Sequence, residues 1–159
     1  RVGLQSAREE HEASIAECLL GEETVVLAKP LTFMNRSGIA VAGILDAMGG
    51  GTKDLLVVVD DVALELGVLR IREQGGHGGH NGLRSLIDSL GSEEFPRVRV
   101  GVGAKDPPED LAAFVLGPFE EEEILIVQEM VGRASEAVEC VLKEGLATAM
   151  NRFNGPPPP

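Results

Sequence analysis

LLVVVDD, residues 55 to 61, is an unbroken apolar run that stops on two carboxylates. A β-branched run of this length reads as a buried central strand. Asp60 and Asp61 then fall at its carboxyl end, where open α/β sheets place their ligand sites. Downstream, LGVLRIRE (66 to 73) reads as a second strand with Arg70 and Arg72 on one face by two-residue alternation. The link from Asp61 to Glu65 is too short for a helical crossover, so the two strands are expected to be antiparallel. Upstream, ASIAECLL (13 to 20) and TVVLAK (24 to 29) read as a hairpin turned at Gly21-Glu22-Glu23. A helix follows, with Ile39, Val41, Ala42, Ile44, Leu45 and Met48 at helical spacing. Asn35 or Ser37 can cap it, and Gly49-Gly50-Gly51 ends it. A helix between strands 24–29 and 55–59 allows them to be parallel, which puts Asn35 and Asp60 on one sheet edge.

Beyond residue 73 the chain carries QGGHGGHNG (74 to 82), then GLRSLIDSL, with Asn81 as the expected cap and Gly91 as the stop. RVRVGVG (97 to 103) reads as a strand with Arg97 and Arg99 on one face. A turn at Asp106-Pro107-Pro108 leads to a short helix around 109 to 114. From Glu120 a long amphipathic helix points Ile124, Val127, Val131, Ala134, Val138 and Val141 at the core, its glutamate-rich first turn matching the helix dipole. GPPPP at the end reads as a solvated polyproline tail. The expectation is an α/β fold: a single domain with one mixed, twisted sheet and helices on both faces, spanning 1–154 and followed by a Pro-rich tail, 155–159.

The 159 residues suffice for one domain with a real core, and 43% are hydrophobic. No apolar run of about 18 residues and no charged-then-apolar leader is present, which argues against a membrane span and a signal peptide. Cys18 and Cys140 are too few for a disulfide framework or a zinc site and fit a reducing cytosol. A net charge of −12 opposes non-specific attraction to nucleic acid over the whole surface, yet Arg70, Arg72, Arg84, Arg97 and Arg99 make the middle of the chain basic. The first residue is Arg1 rather than Met, as in a chain that is processed or lacks its natural beginning.

Glycine loses more backbone freedom on folding than any other residue, so the run around His77, His80 and Asn81 needs a reason. Three polar loops compete for a site: Phe33-Met34-Asn35, Asp60-Asp61 and His77 to Asn81. If they converge, two amides, a carboxylate and an imidazole suit attack of water on a carbonyl, since a carboxylate can fix the tautomer of an imidazole base. No G-x-S-x-G elbow or suitable cysteine offers a covalent nucleophile. Three other readings of the loop stand beside this one: a tight turn with locally bonded histidines, a metal site from Asp60, His77 and His80, and a phosphate loop, which lacks the GK[ST] ending.

KPLTFMNRSG, VVVDDVALELG, GGHGGHNGLRSLI, FPRVRVGVG, FVLGPF and GLATAMNRF, in that order, closely resemble bacterial peptidyl-tRNA hydrolases from about residue 13 to 154. The resemblance implies a cytoplasmic, monomeric α/β enzyme without cofactor or metal. Such an enzyme cleaves the ester between a peptide and the terminal ribose of tRNA, recycling tRNA from stalled translation. It implies that Asn35 positions substrate and attacking water beside Phe33 and Met34 in a peptide cleft, and that Asp60 holds the catalytic histidine in its basic form. His80 and Asn81 would bind the peptide end, and Arg72 and Arg99 the tRNA backbone, through salt-dependent phosphate contacts. The family's opening strand, its GxGNPG-type loop and the RHN motif that carries the base histidine have no counterpart in this chain, and His11 stands in another context. Ala63 stands where members often carry an acid. The expectations are low turnover for the chain as given, with a non-catalytic RNA-binding relative as the rival. If the chain is truncated, association through an open sheet edge is expected too.

Overall fold

The computed structural model describes residues 7–104 and 109–156. Its contacts gather into two compact units, the chain to Asp54 with Gly76–Glu93, and Leu55–Gly75 with Glu94 onward.

In the first unit β1 (Arg8–Glu10), β2 (Ala13–Leu20) and β3 (Glu23–Pro30) form an antiparallel meander. The hairpin expected over 13–29 is β2 and β3, with Leu20 opposite Glu23. Alternation along β2 turns Ala13 and Ile15 inward, against Ala40 and Ile44 of α1 (Ser37–Met48). That helix ends on Gly49, whose φ of 64° is the left-handed conformation a helix stop uses. Its start differs from the expectation. No side chain caps it: Asn35 lies in a 3-10 turn (Met34–Arg36), and the Ser37 hydroxyl donates back to the Met34 carbonyl, 2.9 Å away. α2 (Asn81–Leu90) ends at Gly91 as expected, but its N-cap is His80, and Asn81 is its first helical residue.

The second unit holds β4 (Val57–Glu65), β5 (Leu69–Arg72) and β6 (Arg97–Gly103) in the order β4-β6-β5. This sheet is mixed, as expected, with β4 parallel and β5 antiparallel to β6, but the strands form two three-stranded sheets instead of the one expected. β4 and β5 do run in opposite directions, but β6 lies between them. The glycines of β6 allow this: a Cβ at Gly101 would lie 2.2 Å from the Glu65 carbonyl oxygen, and one at Gly103 2.3 Å from that of Val62. β3 belongs to the other sheet, so the argument that placed Asn35 and Asp60 on one sheet edge does not hold.

α3 (Leu111–Leu116), α4 (Ile124–Glu144) and α5 (Leu146–Phe153) complete this unit. Leu69, Ile71 and Val98 pack against Met130, Ala137 and Cys140 of α4 and Ala149 and Phe153 of α5. The core stripe of α4 takes in Val127, Ala134, Val138 and Val141 as expected, whereas Ile124 and Val131 are exposed. They lie off the stripe that a 3.6-residue repeat draws through Met130 and Ala137. Beyond α5 the Asn154 amide bonds both the N–H and the carbonyl of Ile71, and the Gly155 N–H donates to the Leu69 carbonyl at 3.1 Å. Gly155, expected in the tail, therefore lines the outer edge of β5. The expected turn at Asp106-Pro107-Pro108 lies outside the described residues. The α/β class is the one expected.

Candidate active site

Five of the eight expected site residues lie in the first unit. Phe33, extended at φ −58° and ψ 150°, leads into the turn of Met34, Asn35 and Arg36, which the bond from Arg36 N–H to the Phe33 carbonyl closes at 2.8 Å. Phe33 is 81% exposed and Met34 55%, an apolar pair left open on a turn that Ser37 holds in shape. Exposed apolar side chains grouped this way mark a binding surface. Asn35 is exposed beside them.

The glycine-histidine loop meets this turn at Gly82. A Cβ there would lie 2.6 Å from Met34 Sδ and 2.9 Å from His80 Cε1, so only glycine lets the thioether and the imidazole share the space. Gly78 (φ 56°) and Gly79 (φ 88°) take the left-handed backbone that folds the loop. His77 Nδ1 accepts from Gly79 N–H at 3.0 Å, and His80 Nδ1, as the cap of α2, accepts from Leu83 N–H at 3.2 Å. An accepting Nδ1 leaves the proton of a neutral imidazole on Nε2. Both histidines therefore present an N–H donor at Nε2. Two of the loop's amides bond inside it, that of Gly79 to His77 Nδ1 and that of His80 to the His77 carbonyl at 2.9 Å. The locally bonded histidines of the plainest reading are observed. Asn81, exposed at the first turn of α2, stands next to His80.

The second unit carries Asp60, Arg72 and Arg99. Asp60 is half-buried near the end of the apolar run of β4 and is opposite Val100. Across the β5–β6 ladder Arg70 faces Arg99 and Arg72 faces Arg97, so all four guanidinium side chains belong to one face of the sheet. Arg72 is exposed. Arg99 Nη2 lies 2.7 Å from Asp61 Oδ2. Arg97, only 2% exposed, stacks over the Phe95 ring at 4.4 Å and donates to the carbonyls of Phe95 and Gly75. Its role is to hold those two chain segments. Two-residue alternation placed Arg97 on the basic face, but nothing in the sequence marked it as buried. Among the described residues no group of three or more His, Cys, Asp or Glu side chains is arranged to hold a metal ion.

The profile of a family described as "Peptidyl-tRNA hydrolase" matches residues 1–158. A peptidyl-tRNA hydrolase of Lachnospira eligens is 42% identical over 145 residues, covering 91% of this chain and 78% of that protein. One of a Roseiflexus species is 46% identical over 156 residues, covering 98% of this chain and 72% of that protein. Among solved structures, a peptidyl-tRNA hydrolase in complex with N-propanol superposes with a TM-score of 0.87 at 26% identity, over 99% of this chain and 80% of that one. The Acinetobacter baumannii peptidyl-tRNA hydrolase gives 0.85 at 27% identity, over 96% and 77%.

Proposed function

This chain belongs to the peptidyl-tRNA hydrolase family, and on that premise we propose that it hydrolyses the ester joining a peptide to tRNA, returning tRNA to translation. The observation that carries the reading is the join at Gly82, where the Phe33-Met34-Asn35 turn and the His80-Asn81 helix start pack into one surface. Phe33 and Met34 offer apolar area for the peptide, while the Asn35 and Asn81 amides offer donors for its carbonyls, with His80 beside Asn81 at the peptide end. Asn35 places the attacking water, and Asp60 orients an imidazole base. Arg72 and Arg99 meet backbone phosphates, which makes affinity salt-dependent and indifferent to base sequence. The protein acts as a monomer in the cytoplasm. No described helix is long and apolar enough to cross a membrane.

Nδ1 of His77 and of His80 both accept backbone N–H groups, so these two loop histidines are committed to holding the loop and the start of α2. A positioned imidazole base contributes about 10² to 10⁴-fold, so removing the imidazole that Asp60 orients is expected to lower turnover by that order.

The test is release of N-acetylated amino acid from N-acetylated aminoacyl-tRNA, with release of amino acid from the unacetylated form as control. Release from the blocked substrate alone, abolished by Asn35→Ala, supports the proposal. Equal release from both substrates, or an unaffected Asn35→Ala, overturns it. Tight tRNA binding without any release would instead assign the chain to the RNA-binding relatives.

A further inference from the structure

Asp61 has no part in the chemistry above, yet it is 8% exposed, and both its oxygens are engaged. Oδ1 accepts the Ala63 N–H at 2.9 Å, and Oδ2 stands 2.7 Å from Arg99 Nη2, as a charge contact rather than an aligned hydrogen bond. The Ala63 bond falls where β4 slips its register against β6, between Asp61 and Glu65. That bond anchors the carboxylate in an irregular stretch of backbone, so it cannot follow a moving side chain.

Arg99 has reason to move. It lies directly opposite Arg70 on the antiparallel ladder, beside the opposed pair Arg72 and Arg97, and like charges facing each other across strands repel. At 32% exposed it has room to swing outward, and the buried carboxylate of Asp61 opposes that motion. A guanidinium has five N–H donors, of which Asp61 meets those of Nη2 only. Ordering a long side chain at the moment of binding weakens affinity by roughly 2- to 10-fold, a loss that a side chain already held in place avoids.

We infer that Asp61 is a positioning residue for RNA: it holds the Arg99 guanidinium at a set place on the arginine face, so that a backbone phosphate meets an oriented donor instead of a mobile cation. The inference rests on the proposed role of Arg99 as a tRNA contact. It predicts opposite effects on two kinds of binding. Removing the negative charge of Asp61 strengthens general attraction to polyanions, while losing the fixed Arg99 weakens recognition of a defined phosphate geometry.

The experiment compares binding of an acceptor-stem RNA hairpin and an oligouridine of equal charge, by fluorescence anisotropy over a salt series. The proteins are the unaltered chain, Asp61→Asn, Asp61→Glu, Arg99→Gln and the Asp61→Asn/Arg99→Gln double variant. Asn keeps an oxygen for the Ala63 N–H, so Asp61→Asn is expected to stay folded, and Arg99→Gln approaches the same pair from its other partner. The expected result is a hairpin-to-oligouridine preference that falls roughly 2- to 10-fold in Asp61→Asn and recovers in Asp61→Glu. In the Arg99→Gln background the Asn substitution should leave the preference unchanged. Arg99→Gln itself should flatten the salt slope for the duplex by about 0.9. An unchanged preference in Asp61→Asn, or an equal fall in the Arg99→Gln background, overturns the inference. If the unaltered chain binds the hairpin but Arg99→Gln changes nothing, this inference alone fails. If it shows no salt-dependent hairpin binding, the tRNA reading fails and the inference falls with it.

Discussion

Gly38→Ala is the substitution with the largest expected consequence for the surface that carries the proposed function. Gly38 is the second residue of α1, and its N–H donates to Ser85 Oγ of α2 at 3.0 Å. A Cβ there would lie 2.0 Å from the Ser85 carbonyl oxygen, 2.6 Å from its carbon and 2.5 Å from Ser89 Oγ. Two of these atoms are backbone, so no rotamer change relieves the clash. Carbon–oxygen contacts need about 3.3 Å, so the helices must part by roughly 1.3 Å. Overpacking of this kind costs about 1–3 kcal/mol, and stretching the buried bond to Ser85 adds about 1–3 kcal/mol. The better helix propensity of alanine returns about 1 kcal/mol. A net loss near 3 kcal/mol lowers Tm by roughly 6–12 °C in a chain of this size. The control is Gly132→Ala in the middle of α4, where a Cβ meets nothing within 4 Å. That change should raise Tm by a few degrees, since glycine in a helix interior costs about 0.5–1 kcal/mol. Thermal melts followed by circular dichroism read both. A Gly38→Ala protein that melts at or above the unaltered chain would refute the close-approach argument.

Phe33→Ala should leave the melting temperature nearly unchanged, because the ring is 81% exposed. It should also raise KM for N-acetylated aminoacyl-tRNA by about 10- to 100-fold, the equivalent of about 1.5–3 kcal/mol for one buried phenylalanine; a large drop in Tm with unchanged KM would make it a packing residue. Cys140 is buried in the α4–α5 core, and burial pushes its thiol pKa up, so the thiolate is scarce at pH 8. Iodoacetamide should therefore leave Cys140 unmodified in the native protein and label it in denaturant, as read by mass spectrometry; rapid native labelling would contradict the packing described for that helix.

Local chemistry made much of this molecule legible in the sequence. The apolar run ending at Asp60 had to be a strand, the β2–β3 hairpin followed from its turn, and Gly49 and Gly91 ended helices because only glycine takes the left-handed backbone without strain. The family was legible too, since the motifs that carry the resemblance are short contiguous segments. Strand order was not. β6 lies between β4 and β5 because Gly101 and Gly103 let its backbone approach β4, a relation between segments far apart in the chain. The roles of paired side chains were equally hidden. His80 rather than Asn81 caps α2 because its Nδ1 reaches the Leu83 N–H. Arg97 is buried while Arg72, opposite it on the same face, is exposed, because Phe95 and the Gly75 carbonyl lie over Arg97. Alternation and spacing state which face a side chain takes. Only the packed chain decides what lies above that face, and with it whether an arginine is buried in the fold or open to solvent.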